Sequence, residues 1–152
     1  MTATKGLEGI VATTSSISSI VDGVLTYRGY DIDDLAVNAT FEETAYLLWF
    51  GNLPTTPELQ ALQRDLSAFA EVPEQVIAQM KLYPKTANTM AALRSAVSSL
   101  ALYDEAADDM SREANEIKAV KLQAQIPTLV AALARIRKGL EPIAPREGVS
   151  IA

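Results

Sequence analysis

Between Ser15 and Leu25 the chain sets isolated isoleucines, Ile17 and Ile20, among serines, then places Val24 and Leu25 just beyond Asp22-Gly23. Apolar flanks around an Asp-Gly pair predict an antiparallel β-hairpin, because both turn residues tolerate the positive φ angles that a two-residue connection demands. The Ser/Thr run from Thr13 to Ser19 therefore reads as a strand with one polar face and not as a modified surface patch. Gly29 permits a sharp exit from the second strand, and Asp31 is placed to cap a short helix carrying Ile32, Leu35 and Ala36.

From Thr40 onward the period lengthens from two to between three and four. Thr40 and Glu43 have capping-box spacing, which predicts a helix over 41–50 that Gly51 and Pro54 stop. Tyr46, Leu47, Trp49 and Phe50 make this helix too apolar for a free surface, so its aromatics read as core and not as a ligand pocket. Thr56 as cap and Pro57 at the first helical position open a second helix, with Leu59, Leu62, Leu66 and Phe69 on one face. A shorter helix begins at Pro73, turns Val76, Ile77 and Met80 inward, and ends before Pro84.

The segment 86–103 sets Met90, Leu93, Val97 and Leu100 at helical spacing, flanked by Ala91, Ala92, Ser95, Ala96, Ser98 and Ser99. Those small flanks allow close helix approach. After the acidic stretch DEAADDMS, Ser111 can cap a long helix with Ile117, Val120, Ala124, Val130, Leu133 and Ile136, kinked at Pro127 and stopped at Gly139. The tail EPIAPREGVSIA holds too much proline for a helix and reads as an extended connection. The predicted class is mainly α, an amino-terminal β-hairpin followed by a helical bundle. One partial domain is expected over 1–152, divided into a hairpin region (1–30), helices (31–140) and an extended tail (141–152).

Composition narrows the chemistry. The 152 residues contain no histidine and no cysteine, which removes the usual proton-transfer group near neutral pH, thiolate metal sites, disulfides and a cysteine nucleophile. Acid/base work would fall to carboxylates, Lys or Tyr with strongly shifted acidity. A net charge of −6, with pI near 4.6 and no Lys/Arg stripe, argues against a nucleic-acid partner. The first residues lack the pattern of a signal peptide, and no apolar run reaches membrane-span length, so a cytoplasmic protein is expected.

Several residues invite a functional reading. Asp31, Asp33 and Asp34 could suggest a metal cluster, but carboxylates are favoured at a helix amino terminus for electrostatic reasons. Asp104, Glu105, Asp108 and Asp109 lack the glycine and ligand spacing of a calcium loop and read as a solvated loop. Arg28, Arg94 and Arg146 could each present a planar fork to an anion, but structural salt bridges are the favoured reading. No metal and no cofactor are expected.

The strings SSISSIVDGVLTYRGYDIDDLA, TFEETAYLLWFGNLPT, LYPKTANTMAALRSAVSSL and QIPTLVAALARIRKGLEPIAPRE together resemble citrate synthases of the bacterial type. GLEGIVAT, Gly6 to Thr13, looks like the family's opening strand. The resemblance runs along the whole chain and implies the amino-terminal part of the family's large domain. It implies, for a complete protein, condensation of acetyl-CoA with oxaloacetate to citrate and free CoA, an acyl transfer at the entry to the tricarboxylic acid cycle, using two histidines and an aspartate further downstream. It also implies a homodimer through helices near 86–103 and 111–138.

Departures from the family pattern fall on histidines. The H-P-M motif reads Asn88-Thr89-Met90, the Y-H-R-I-R motif reads Leu133-Ala134-Arg135-Ile136-Arg137, and L-S-H-A reads Val149-Ser150-Ile151-Ala152. The resemblance makes the last of these an oxaloacetate position, which Ile151 cannot serve. The expectation is a chain with no catalytic and no substrate-binding residue of its own, inactive alone. The alternatives are a non-catalytic helical dimerisation protein derived from the family and one half of a split enzyme, with 2-methylcitrate synthesis left open.

Overall fold

The computed structural model describes residues 11, 13–146 and 148–151, arranged as two compact units that meet in sequence at Leu53 and Pro54. In the first unit, β1 (Ser18–Val21) pairs antiparallel with β2 (Val24–Tyr27), with Val21 opposite Val24. Asp22 and Gly23 between them have φ of 52° and 82°, the double positive φ that a two-residue hairpin requires. The exit at Gly29 is a second turn of the same kind: Arg28 and Gly29 have φ of 50° and 89°. That turn adds β3 (Tyr30–Asp31), Tyr27 lies opposite Tyr30, and the hairpin becomes a three-stranded sheet in the order β1-β2-β3. The GLEGIVAT strand falls almost wholly outside the described residues; Val11 and Thr13 have no regular structure.

Asp31 caps α1 (Ile32–Asn38) by accepting from the Asp33 amide at 2.8 Å. The Thr40–Glu43 capping box opens α2 (Phe41–Phe50), and left-handed Gly51 closes it. Leu35 and Leu47 are the unit's buried apolar side chains. The aromatics are less enclosed than their spacing suggests: Tyr46 and Trp49 are half-buried, and Phe50 stays 39% exposed. Tyr46 and Trp49 contact the Phe50 ring at centroid distances of 4.5 and 6.4 Å.

The second unit is helical: α3 (Thr56–Phe69), α4 (Glu74–Lys81), α5 (Thr89–Leu100) with a 3-10 turn at Ala101–Tyr103, and α6 (Arg112–Arg137). The cap of α3 is Thr55 and not Thr56, since the Glu58 carboxylate accepts from the Thr55 amide at 2.7 Å and its hydroxyl at 2.6 Å. Pro57 therefore sits second in the helix, where a missing amide is still harmless. Helix α5 is shorter than 86–103, because Asn88 accepts from the Met90 and Ala91 amides and sets its start. α6 runs through Pro127 as one helix, capped by Ser111. It ends in a pair of reversed bonds, Gly139 N to Ile136 O and Leu140 N to Arg135 O, which need the positive φ of Gly139.

The core joins Val72, Val76 and Met80 to Ala92, Ala96 and Leu100 of α5 and to Leu129, Ala132 and Leu133 of α6. On α5 the core takes Leu100 of the expected stripe, with Leu93 and Val97 packed against it, and adds the neighbouring small residues. The alanines and Ser99 point inward, Leu93 and Val97 are half-buried, and Met90 is 69% exposed. On α6, Ile117 and Val130 are likewise outside, at 50% and 47%. Gln125 and Thr128, flanking Pro127, donate to the Glu71 and Ala70 carbonyls at 3.0 and 2.9 Å, tying the α3–α4 connection to α6. Among the described residues no helix is long and apolar enough to cross a membrane.

Candidate functional site

The carboxylate clusters have local work. Asp31 caps α1, and Asp33 and Asp34 lie in its first turn; among the described residues no three His, Cys, Asp or Glu side chains are placed to hold a metal ion. The 104–109 segment leaves Glu105, Asp108 and Asp109 exposed, as a solvated loop would, and is also anchored. Lys121 donates to both Asp104 oxygens at 3.1 Å, and Lys118 donates to the Ala107 and Asp109 carbonyls. The Lys121 ammonium, with the Ala106 amide, holds the Asp104 carboxyl below its usual range, and the Ser111 amide lowers that of Asp109. Lys121 also lies 5.8 Å from the centroid of the Phe69 ring.

The arginines differ from one another. Arg28 donates to the Ser16 hydroxyl at 3.0 Å and to the Leu48 carbonyl at 2.9 Å, so it joins the strand region to α2 through carbonyl and hydroxyl acceptors and not through a salt bridge. Its Nε is buried without a hydrogen-bond partner among the described residues. Arg94 and Arg146 are exposed. Arg135 and Arg137 are used instead. Arg135 Nε donates to the Glu141 carbonyl at 2.6 Å, and Arg137 donates to the Ala87 carbonyl at 2.8 Å and the Thr89 hydroxyl at 3.1 Å.

The second unit also exposes apolar side chains on its long helices. Along α5, α6 and the segment between them, Met90, Leu102, Met110, Ile117 and Val130 are about half exposed or more, and Ser95, Ser98, Ala131 and Ala134 are small exposed neighbours on the same helices. Exposed apolar side chains beside small residues form a surface suited to another helix.

A family profile described as "Citrate synthase, C-terminal domain" matches residues 6–152. The chain belongs to the citrate synthase family. It is 58% identical over 153 residues to citrate synthase 2 of Bacillus subtilis, covering 100% of this chain and 41% of that protein. It is 40% identical over 150 residues to 2-methylcitrate synthase of Mycobacterium tuberculosis, covering 97% of this chain and 38% of that one. The solved citrate synthase from Pyrobaculum aerophilum has a TM-score of 0.86 at 34% identity, over 97% of this chain and 39% of its own. The chain thus spans about two-fifths of the length of these relatives.

In this citrate synthase family chain the segments compared with the histidine motifs make structural contacts. Asn88 caps α5, and the Arg135–Arg137 segment closes α6 onto the α5 amino terminus and the tail. Ile151 is half-buried in the extended tail, which the second unit holds through Gly148 N donating to Ser67 Oγ at 3.2 Å.

Proposed function

We propose that this chain is the amino-terminal portion of the large domain of a citrate synthase, residues 1–152 forming part of one domain. In this reading the complete protein, in the cytoplasm, condenses acetyl-CoA with oxaloacetate to citrate and CoA. The observation that carries it is the 58% identity to citrate synthase 2 of Bacillus subtilis along this chain's entire length. The order of the elements, sheet first and long helices after, supports placing it at the start of that domain. The chain's share of the reaction is scaffold. It has no imidazole to take a proton from an acetyl methyl or to polarise a keto group. Asp104 and Asp109 are shifted away from neutrality, and burial pushes the Tyr83 phenol up from an already high value, so none of the three is poised to act at pH 7.

The same reading makes α5 and α6 a homodimer contact, supported by the exposed Met90, Leu102, Ile117 and Val130 and the small residues beside them. 2-Methylcitrate synthesis is the alternative that the 40% identity to a 2-methylcitrate synthase leaves open. Thiol release from acetyl-CoA plus oxaloacetate tests the scaffold role: the purified 152-residue chain is expected to give none, and turnover above the protein-free rate overturns it. Comparing acetyl-CoA with propionyl-CoA in the full-length protein decides between the two substrates. Sizing chromatography tests the contact; elution as a monomer at the highest attainable concentration removes it.

A further inference from the structure

The β1–β2 hairpin buries little. All four residues of β1 are exposed, Ile17 and Val24 are exposed as well, and Ile20 keeps 72% of its surface in solvent. Leu25, Thr26 and Tyr27 of β2 are half-buried. Apolar burial therefore contributes little to holding the hairpin on the helices of the first unit. Among the described residues, one hydrogen bond runs from residues 13–29 to a helix, and Arg28 makes it.

That bond meets a need at its other end. Leu48 lies in the last turn of α2, where carbonyls lack an amide partner further along the helix, and that turn contains no basic residue. The Leu47 carbonyl accepts from the Gly51 amide; the Leu48 carbonyl accepts from one Arg28 terminal nitrogen at 2.9 Å. Arg28 thus supplies, from 20 residues away, the cation that a helix carboxy terminus favours. Its other terminal nitrogen donates to Ser16 Oγ at 3.0 Å, so one guanidinium bridges the segment before β1 and the end of α2. The arrangement is held at a cost. Arg28 takes the first place of a two-residue turn with φ of 50°, where Asn, Asp or Gly is favoured and a bulky side chain is strained. Its Nε is enclosed without a hydrogen-bond partner among the described residues, a loss comparable with that of a hydrogen bond. Bonds from a charged donor are stronger than neutral ones and oppose both costs.

We propose that Arg28 is a strained latch whose release lets the hairpin lift from α2 as a local opening, with the second unit still folded. In the open state φ at Arg28 relaxes, Nε reaches water, and the Leu48 carbonyl loses its donor. A small sheet parted from its helices is marginally stable, so the β1–β2 ladder opens with the latch. Ser16, Arg28 and Leu48 all belong to the first unit. The core cluster from Val72 to Leu133 lies in the second, and its packing does not depend on the latch. The inference is independent of the dimer reading and of the reaction assigned to the complete protein.

Native-state hydrogen exchange of the 152-residue chain, read residue by residue by NMR and corrected for intrinsic rates, tests the latch. In the parent, the hydrogen-bonded amides of β1 and β2 should exchange at least about tenfold faster than those of Ala96, Leu100, Leu129 and Leu133, the mark of a local opening. R28N separates the two sides of the balance, because asparagine accepts a positive φ and is too short to bridge Ser16 and Leu48. It should speed the hairpin amides about tenfold, the lost bonds outweighing the relieved strain, and leave the four core amides unchanged. Hairpin amides as slow as the core in the parent, hairpin exchange unchanged or slowed in R28N, or core amides accelerated as much as the hairpin's each overturns the proposal.

Discussion

Replacing Ala96 by leucine tests which face of α5 the core uses. Ala96 is 0% exposed, within a cluster that contains Val76, Met80, Leu129 and Leu133. Leucine adds three carbons there. With space available, burying them would stabilise the fold by roughly 2.4 kcal/mol, at about 0.8 kcal/mol per methylene. With none available, the side chain forces neighbours off rotamer or displaces a helix, at about 1–3 kcal/mol. Three carbons against a fully enclosed alanine between α4 and α6 put the expected destabilisation near the top of that range, about 3 kcal/mol. Met90→Ala, at a position 69% exposed, should change stability by less than about 0.5 kcal/mol. Urea unfolding followed by far-ultraviolet circular dichroism reads both. A96L should lower the midpoint by about 1–2 M at the urea sensitivity typical of a small domain, while M90A superposes on the parent. Were the larger side chains Met90, Leu93 and Val97 the buried face, the order would reverse, and an A96L curve matching the parent refutes the packing described above.

Further outcomes are expected. Thr55→Ala should cost about 1 kcal/mol of stability by removing the true cap of α3, while Thr56→Ala should cost less than about 0.5 kcal/mol, as read by thermal melting; equal losses would remove the assignment. Lys121 depresses the Asp104 carboxyl, so the stability this pair supplies is complete above the unfolded carboxylate value of about 3.9 and is lost as pH falls through the lower folded value. The urea midpoints of the parent and Asp104→Asn should therefore differ at pH 7 and converge below about pH 4; a gap that persists in acid would sink the ion-pair account.

The elements were largely legible because the signals that start and stop them are local. Asp22-Gly23, the Thr40–Glu43 box, Gly51, Ser111 and Gly139 each act within a few residues, and each occupies its expected place. Where two neighbouring residues could do one task, the local signal was ambiguous: Thr55 and Thr56 precede the same proline, and only the Glu58 carboxylate distinguishes them. Arg28-Gly29 was read as an exit because a two-residue β3 is too short to show a period.

Faces and partners lie beyond such signals. The spacing on α5 did not show that Ala92 and Ala96 would be enclosed more completely than Leu93 and Val97, which pack against the same core from its edge. Arg28 found its acceptors 12 and 20 residues away. Residue order thus sufficed for family, fold class and most helix boundaries, since caps, turns and motifs are short-range. Which side chains are enclosed most completely, which loop is anchored and what Arg28 bonds depended on tertiary contacts, because those properties belong to pairs of elements and not to any one segment.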